Sequence, residues 1–173
     1  QILVMADGSG ENENVFIRGN HKVLGDEAPR QLLTAIIGDS PVKAHGSGRL
    51  QLADDLIEPT NPLTSRVMVN RMWHHLFGRG IVASTNNFGV LGSRPSHPEL
   101  LDHLALRFVR QHNWSIKAML KEIMLSSTYQ MDSTPNPDYN DSDPNNNLFY
   151  RQNIRRLEGE AIRDNILAIS GRL

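Results

Sequence analysis

Apolar residues recur along the second half of the chain at intervals of three and four, the period of an amphipathic helix. The clearest run covers residues 61–77, where Asn61-Pro62 supplies a capping residue and a first-turn proline, and Gly78 follows the last apolar residue. The same spacing predicts helices over 49–57, 96–111, 115–126 and 155–170. Ser47, Ser115 and a capping box from Ser96 to Glu99 are the predicted start signals.

The first 45 residues have a different pattern. Two short runs rich in β-forming residues, 2–6 and 15–18, flank a polar segment and predict a hairpin or two edge strands. Gly19 and Gly25 indicate an irregular loop after them, and 30–37 is compatible with a short helix.

These elements predict a mainly α fold: a compact helical domain of about five helices with a small N-terminal β-hairpin or edge-strand appendage. We divide the chain into a β entry segment and loop, 1–45, which continues an upstream domain, and a helical domain, 46–173. Residues 132–147 are dominated by Asp, Asn, Ser and Pro, and predict a long, mobile polar loop within the helical domain.

Composition narrows the function classes only slightly. Apolar residues make up 39% of the chain and charged residues 21%, and the net charge of -1 gives no electrostatic signature for nucleic acid. No apolar run approaches the roughly 20 residues of a membrane-spanning helix, so no membrane insertion by this segment is expected. The chain has no cysteine, which excludes disulfides, thiol catalysis and covalent haem attachment within it.

Two adjacent histidines, His74 and His75, lie in the helix predicted over 61–77. At about 100° per residue their side chains diverge too far to share a metal, so we predict no metal site. Asn70 and His74 fall on the apolar face, which favours a buried polar pair whose hydrogen bonds are completed by backbone or a neighbouring helix. The competing interpretation is a catalytic or ligand histidine. His75 falls on the polar side, near the C-terminal end of the helix.

Charged residues concentrate in the last predicted helix, and the candidates for a catalytic site are His74, Arg71, Glu158, Glu160 and Asp164. Asp164 shares a stripe with apolar residues, so it is expected to face inward and to need an arginine. We predict that Asp164, or a glutamate of 158–164, pairs with an arginine of the 66–71 turn and fixes helix register. The alternative is an acidic–basic pocket that binds a polar ligand.

With these residues noted, the chain resembles the domain of unknown function 1553, found at the C-terminus of exported planctomycete proteins that often carry a cytochrome-c-like domain upstream. The resemblance is carried by Val15-Phe-Ile-Arg-Gly19, Gly46-Ser-Gly-Arg-Leu50, the run from Asn61 to Trp73 with Phe77-Gly-Arg-Gly80, and Arg156-Leu-Glu-Gly-Glu-Ala-Ile-Arg-Asp164 with Ser170-Gly-Arg-Leu173. It implies an exported, periplasmic or cell-envelope location. The resemblance assigns neither a reaction nor catalytic residues to this chain.

Two functions follow as hypotheses. The first is a non-catalytic structural or interaction domain of a larger exported, cytochrome-c-linked protein, whose partners are other domains of the same polypeptide. The second is a hydrolase that acts on a polar or carbohydrate substrate through a carboxylate/arginine site. No cofactor is expected in this segment, and a haem would belong to an upstream domain. The sequence leaves the oligomeric state open.

Overall fold

The computed structural model describes residues 4, 6–8, 10–31, 33–37 and 46–173. Residues group into two compact units, Gln1–Ser65 and Arg66–Leu173. In chain order, the elements of the described residues are β1 (Glu13–Phe16), a 3-10 helix (Ile17–Gly19), β2 (Leu24–Ala28), α1 (Thr34–Ile37), α2 (Arg49–Ile57), α3 (Thr64–Phe77), α4 (Pro98–Arg110), α5 (Ile116–Met124), α6 (Pro137–Asn140) and α7 (Gly159–Ile169). This confirms the predicted mainly helical fold with a small N-terminal β element. The division at residue 45 stays a prediction.

The β element is an antiparallel hairpin of β1 and β2 with an irregular register between Asn14 and Phe16. Its second strand was predicted as a loop, and that prediction was wrong. Gly25 lies within β2, where an added Cβ would come 3.3 Å from the Val15 carbonyl oxygen, so this glycine permits a close backbone approach rather than breaking a strand. The run predicted over 2–6 lies mostly outside the described residues.

Helix starts follow the predicted signals in two of four cases. Asn61 Oδ1 accepts from the backbone N–H of Leu63 at 3.0 Å, and Ser115 Oγ accepts from Ala118 N–H at 3.3 Å. The predicted caps at Ser47 and Ser96 were wrong, because Gly48 is the capping residue of α2 and His97 that of α4. Ser47 Oγ instead accepts from Arg49 N–H, at 3.3 Å.

The displaced cap at the start of α4 has a simple cause. Pro98 occupies the first helical position, where its fixed φ starts the helix and no N–H is needed. Ser96 is left one residue too early. Both its N–H and its hydroxyl donate to the Ile81 carbonyl oxygen, at 2.9 and 3.2 Å.

One hydrophobic core lies within the second unit, and α3 supplies its largest share. Phe77 stacks on Trp73 with ring centroids 4.1 Å apart, and Phe149 meets Phe77 edge-on at 5.5 Å. The buried apolar cluster consists of Val69, Met72, Trp73, Phe77, Ile81, Val82, Leu101, Leu104, Phe108, Met119, Ile123 and Phe149. The angular prediction for α3 is confirmed for Asn70, which is buried, and for His75, which is exposed.

The polar segment 132–147 is more structured than a plain loop. It contains α6, and the buried Asp143 accepts hydrogen bonds from the backbone N–H groups of Asn147 and Leu148 at 2.8 and 2.7 Å. Asn146 is also buried. The predicted mobility of this segment stays a prediction.

The last helix differs most from expectation. It was predicted over 155–170 with Asp164 facing inward, but α7 begins at Gly159 and has no fully buried residue. Three isoleucines, Ile162, Ile166 and Ile169, are 38%, 62% and 89% exposed. The prediction was wrong because periodicity shows which side of a helix is apolar, and says nothing about what covers that side.

No helix in the described part of the chain combines the length and apolar character needed to cross a membrane.

Candidate functional site

A pocket of about 270 Å³ opens at the C-terminal end of α3. Its walls come from His75 on the last turn of α3 and from the segment that leads into α7. The lining residues are His75, Arg155, Arg156, Leu157, Glu158 and Ala161. This is where the described residues bring a histidine, two arginines and a carboxylate together.

The pocket exists because residues 153–158 cross the end of α3 instead of joining α7. A helix leaves its last carbonyl groups without internal partners. Asn153 Nδ2 donates to the Phe77 carbonyl at 3.0 Å, and Arg155 Nη1 donates to the His75 carbonyl. Gly78, with a φ of 80°, turns the chain away just after the helix. Arg155 therefore places a positive charge at the negative end of the α3 dipole.

The two pocket arginines differ in what they contact. Arg155 is tied to α3 as described, whereas Arg156 is exposed and forms no ion pair with any residue that the structure describes. Glu158 is exposed at the start of α7, and its side chain makes no capping bond. The pocket thus carries two guanidinium groups and one carboxylate, an arrangement suited to binding a small polar molecule through directed hydrogen bonds.

The catalytic candidates from the sequence are not gathered at one point. Glu158 lines the pocket, but His74, Arg71, Glu160 and Asp164 do not. Arg71 and Glu160 are exposed, and His74 is partly buried with its Nδ1 lacking a hydrogen-bond partner. His75, interpreted from the sequence as a solvated residue near the helix end, is exposed as predicted and is the histidine that lines the pocket.

The predicted register-fixing ion pair was wrong. Asp164 is exposed, and its Oδ1 lies 3.2 Å from Nη1 of its neighbour Arg163. Arg66 pairs with Asp102 instead, at 2.7 Å between Nε and Oδ1. Because α7 is not enclosed, Asp164 has no need of a buried cation, and the premise of the prediction fails.

The predicted buried and satisfied polar pair is confirmed for Asn70 but not for His74, which is only partly buried and whose Nδ1 has no hydrogen-bond partner. The Asn70 side chain is fully buried, accepts from Val82 N–H at 2.8 Å and donates to the Val82 carbonyl at 3.0 Å. Gly80 lies against it, since an added Cβ would come 2.8 Å from the Asn70 amide atoms. The Asn70 amide thus replaces the backbone partner that the irregular segment after α3 lacks.

The rings of His74 and His75 are steeply inclined to each other, at 71°, with centroids 5.6 Å apart. Across the described residues, no group of three His, Asp or Glu side chains is arranged to hold a metal ion. That neither histidine binds a metal stays a prediction.

Sequence reasoning missed a partly buried ionic cluster between α4 and α5. Arg107 Nη2 donates to Glu122 Oε2 at 3.1 Å, and Arg107 Nε lies 2.6 Å from Oε1 in a charge contact. His112 Nε2 also donates to Oε2, because an ionised carboxylate can only accept. Both helices present charged residues along one side. The opposite charges of Arg107 and Glu122 on these consecutive helices were the feature of the sequence from which the ion pair could have been predicted.

The electrostatics of Glu122 follow from these contacts. Burial alone would raise the pKa of Glu122, but hydrogen bonds from His112 and Arg107, together with the charge on Arg107, outweigh burial and hold the pKa below its usual value. A carboxyl whose pKa is lower in the folded state than in the unfolded state stabilises the fold when ionised.

We expect a Glu122→Gln variant to be less stable than the wild type at neutral pH by about 1–2 kcal/mol, because it loses hydrogen bonds to a charged acceptor. The wild type keeps this stabilisation above the unfolded-state pKa of about 4.3 and loses it as pH falls through the lower folded-state pKa. The difference between the two proteins should therefore shrink in acid. Urea unfolding across this range measures it. Glu99→Gln, an exposed change on α4, is the control, and an equal pH dependence for both variants would contradict the assignment.

With the geometry described, comparison with known proteins adds one finding. A family model, PSD1, described as "Protein of unknown function (DUF1553)", matches residues 48–173, more than half of the chain. The chain belongs to the DUF1553 family. This confirms the resemblance seen in the sequence. The DUF1553 match runs from the cap of α2 through α7 and so includes Asn70 and the pocket at the end of α3. No curated protein and no solved structure matches the chain.

Proposed function

We propose that this chain is a non-catalytic interaction domain of a larger exported protein, and that α7 docks against another domain of the same polypeptide. The observation that carries the proposal is the apolar face of α7. Ile162, Ile166 and Ile169 follow spacings of four and three residues, so they lie on one side of the helix, and all three are exposed. We call these three residues the exposed α7 face.

Single exposed apolar residues are ordinary, but a contiguous apolar stripe indicates a surface that another protein segment covers. The same unit has a closed core, since Phe77, Phe108 and Met119 are almost completely enclosed. The exposed α7 face is therefore not the mark of a poorly formed core. Export and association with a cytochrome-c-like domain are supported by the sequence resemblance, and a haem would belong to that associated domain.

The alternative function, a hydrolase, receives no support from the carboxylates. Glycoside hydrolysis requires two carboxyl groups that flank one substrate bond, about 5 to 9.5 Å apart. Of the three predicted candidates, only Glu158 lines the pocket, and Asp164 is paired with Arg163.

The test replaces Ile166 and Ile169 together with glutamate. In the isolated chain we expect the free energy of unfolding to change by no more than about 0.5 kcal/mol, because both residues are exposed. The fluorescence of a bound hydrophobic dye should fall, since dye sites on an apolar surface are removed. In the intact polypeptide, hydrogen exchange in α7 should be slow for the wild type and fast for the double variant.

Leu106→Glu is the matched control, because Leu106 is 51% exposed on α4, away from α7 in sequence. It should leave hydrogen exchange in α7 unchanged. If α7 exchanges as fast in the intact wild-type polypeptide as in the isolated chain, no domain covers it and the proposal fails.

A further inference from the structure

The pocket at the end of α3 has chemistry that the exposed α7 face does not use. It is polar, and Arg155, Arg156 and Glu158 surround a space of about 270 Å³. Since a water molecule occupies about 30 Å³ of liquid, the pocket has room for a small organic molecule.

Arg155 is the fixed side of this pocket. Its guanidinium donates to the His75 carbonyl, and a guanidinium has five N–H donors in a planar fork. One bond to α3 therefore leaves other donors of this pocket-lining residue for a ligand, while the attachment to a helix end holds the group in place. A positioned guanidinium loses less side-chain freedom on binding than a free one.

Arg156 is the pocket arginine that is available to bind a ligand. In the part of the chain that the structure describes, Arg156 has no carboxylate partner, although Glu158 lines the same pocket two residues later. An arginine without a partner, beside a second and fixed arginine, gives the pocket an excess of positive charge over its one carboxylate. Guanidinium groups match the geometry of a carboxylate through two parallel hydrogen bonds.

Glu158 restricts the ligands that the pocket can bind. As a carboxylate it accepts hydrogen bonds and repels a second negative charge. A ligand that fits both sides carries one carboxylate for the arginines and a hydroxyl group for Glu158. Leu157 and Ala161 supply a short apolar wall for the carbon skeleton between them.

We propose that this pocket binds a small hydroxylated organic acid, with its carboxylate held by Arg156 and Arg155 and a hydroxyl group donating to Glu158. This is a binding site and involves no reaction. It goes beyond the docking role proposed for α7, and its test does not depend on any other domain.

The probe is glucuronate, which has one carboxylate and several hydroxyl groups, and binding to the full chain is measured by calorimetric titration. We expect saturable binding that Arg156→Gln weakens by about tenfold or more, the loss that follows from removing hydrogen bonds to a charged group. Arg163→Gln is the matched control, because it removes the same charge from an exposed arginine of α7 that lies outside the pocket. It should leave the affinity unchanged.

Two further measurements separate the role of the arginines from that of Glu158. Glucose, which lacks the carboxylate, should bind far more weakly than glucuronate. Acetate, which lacks the hydroxyl groups, should also bind more weakly than glucuronate, and Glu158→Gln should reduce that difference. Equal losses for Arg156→Gln and Arg163→Gln, or equal binding of glucose and glucuronate, would overturn the proposal.

Discussion

Replacing Asn70 with alanine is expected to lower the free energy of unfolding by about 3–5 kcal/mol, the largest single effect that we predict. The change leaves the N–H and the carbonyl of Val82 without partners in a fully buried position. Each unsatisfied buried polar group costs about 1–3 kcal/mol, and the lost side-chain volume adds to this. Urea unfolding of the wild type and the variant measures the difference.

Asn70→Asp is a sharper version of the same test, because the two side chains have nearly the same shape. At neutral pH the aspartate can accept from Val82 N–H but cannot donate to the carbonyl, and it buries a charge. Burial should raise its folded-state pKa above the unfolded value of about 3.9, so its penalty relative to wild type should shrink as pH falls and the carboxyl protonates. Asn86→Ala, at an exposed position, is the control. A stability loss as small as that of the control would show that water or relaxation satisfies Val82.

The burial of Asn70 was predictable because it depends on local periodicity. The helical spacing of apolar residues around α3 places Asn70 on the apolar face, and residues 61–78 also contain the signals for both ends of the helix. The partner was not predictable in the same way. Val82 lies 12 residues later, beyond the end of the helix, and its approach depends on the small size of Gly80.

The errors about the last helix share one physical cause, which is that a sequence pattern does not identify what lies opposite it. The stripe containing Asp164 was expected to be buried, yet Asp164 is exposed and forms an ion pair with its neighbour Arg163. The pocket likewise depends on Arg155 leaving the predicted last helix to contact the end of α3. Arginine has a good helix propensity, so propensity alone places residue 155 in the helix. Only its contact with the end of α3 shows that it lies outside the helix.

The second large effect is expected at Asn146, which controls the route of the chain toward the pocket. Its side chain is fully buried, donates to the Arg151 carbonyl at 2.7 Å and to Asn153 Oδ1 at 3.0 Å, and accepts from Arg151 N–H at 3.3 Å. Asn153 in turn donates to the Phe77 carbonyl at the end of α3. Asn146 therefore connects the polar segment before it to the residues that cap α3 and shape the pocket.

We expect Asn146→Ala to lower the free energy of unfolding by about 2–4 kcal/mol. Three side-chain hydrogen bonds are lost, and alanine must also adopt a φ of 50°, which asparagine tolerates better than other residues with a side chain. Urea unfolding measures the total loss. The change should also loosen the 151–158 segment, which hydrogen exchange of its backbone amides would detect as faster exchange.

Asn146→Gly separates the two causes, because glycine adopts a positive φ without strain while making none of the side-chain bonds. The glycine variant should be less stable than wild type, since the hydrogen bonds are gone, but more stable than the alanine variant by about 1 kcal/mol, the cost of the left-handed conformation. If the glycine variant matches the wild type, the bonds to Arg151 and Asn153 contribute nothing. If glycine and alanine are equally destabilised, backbone strain plays no part, and the asparagine acts through its side-chain contacts alone.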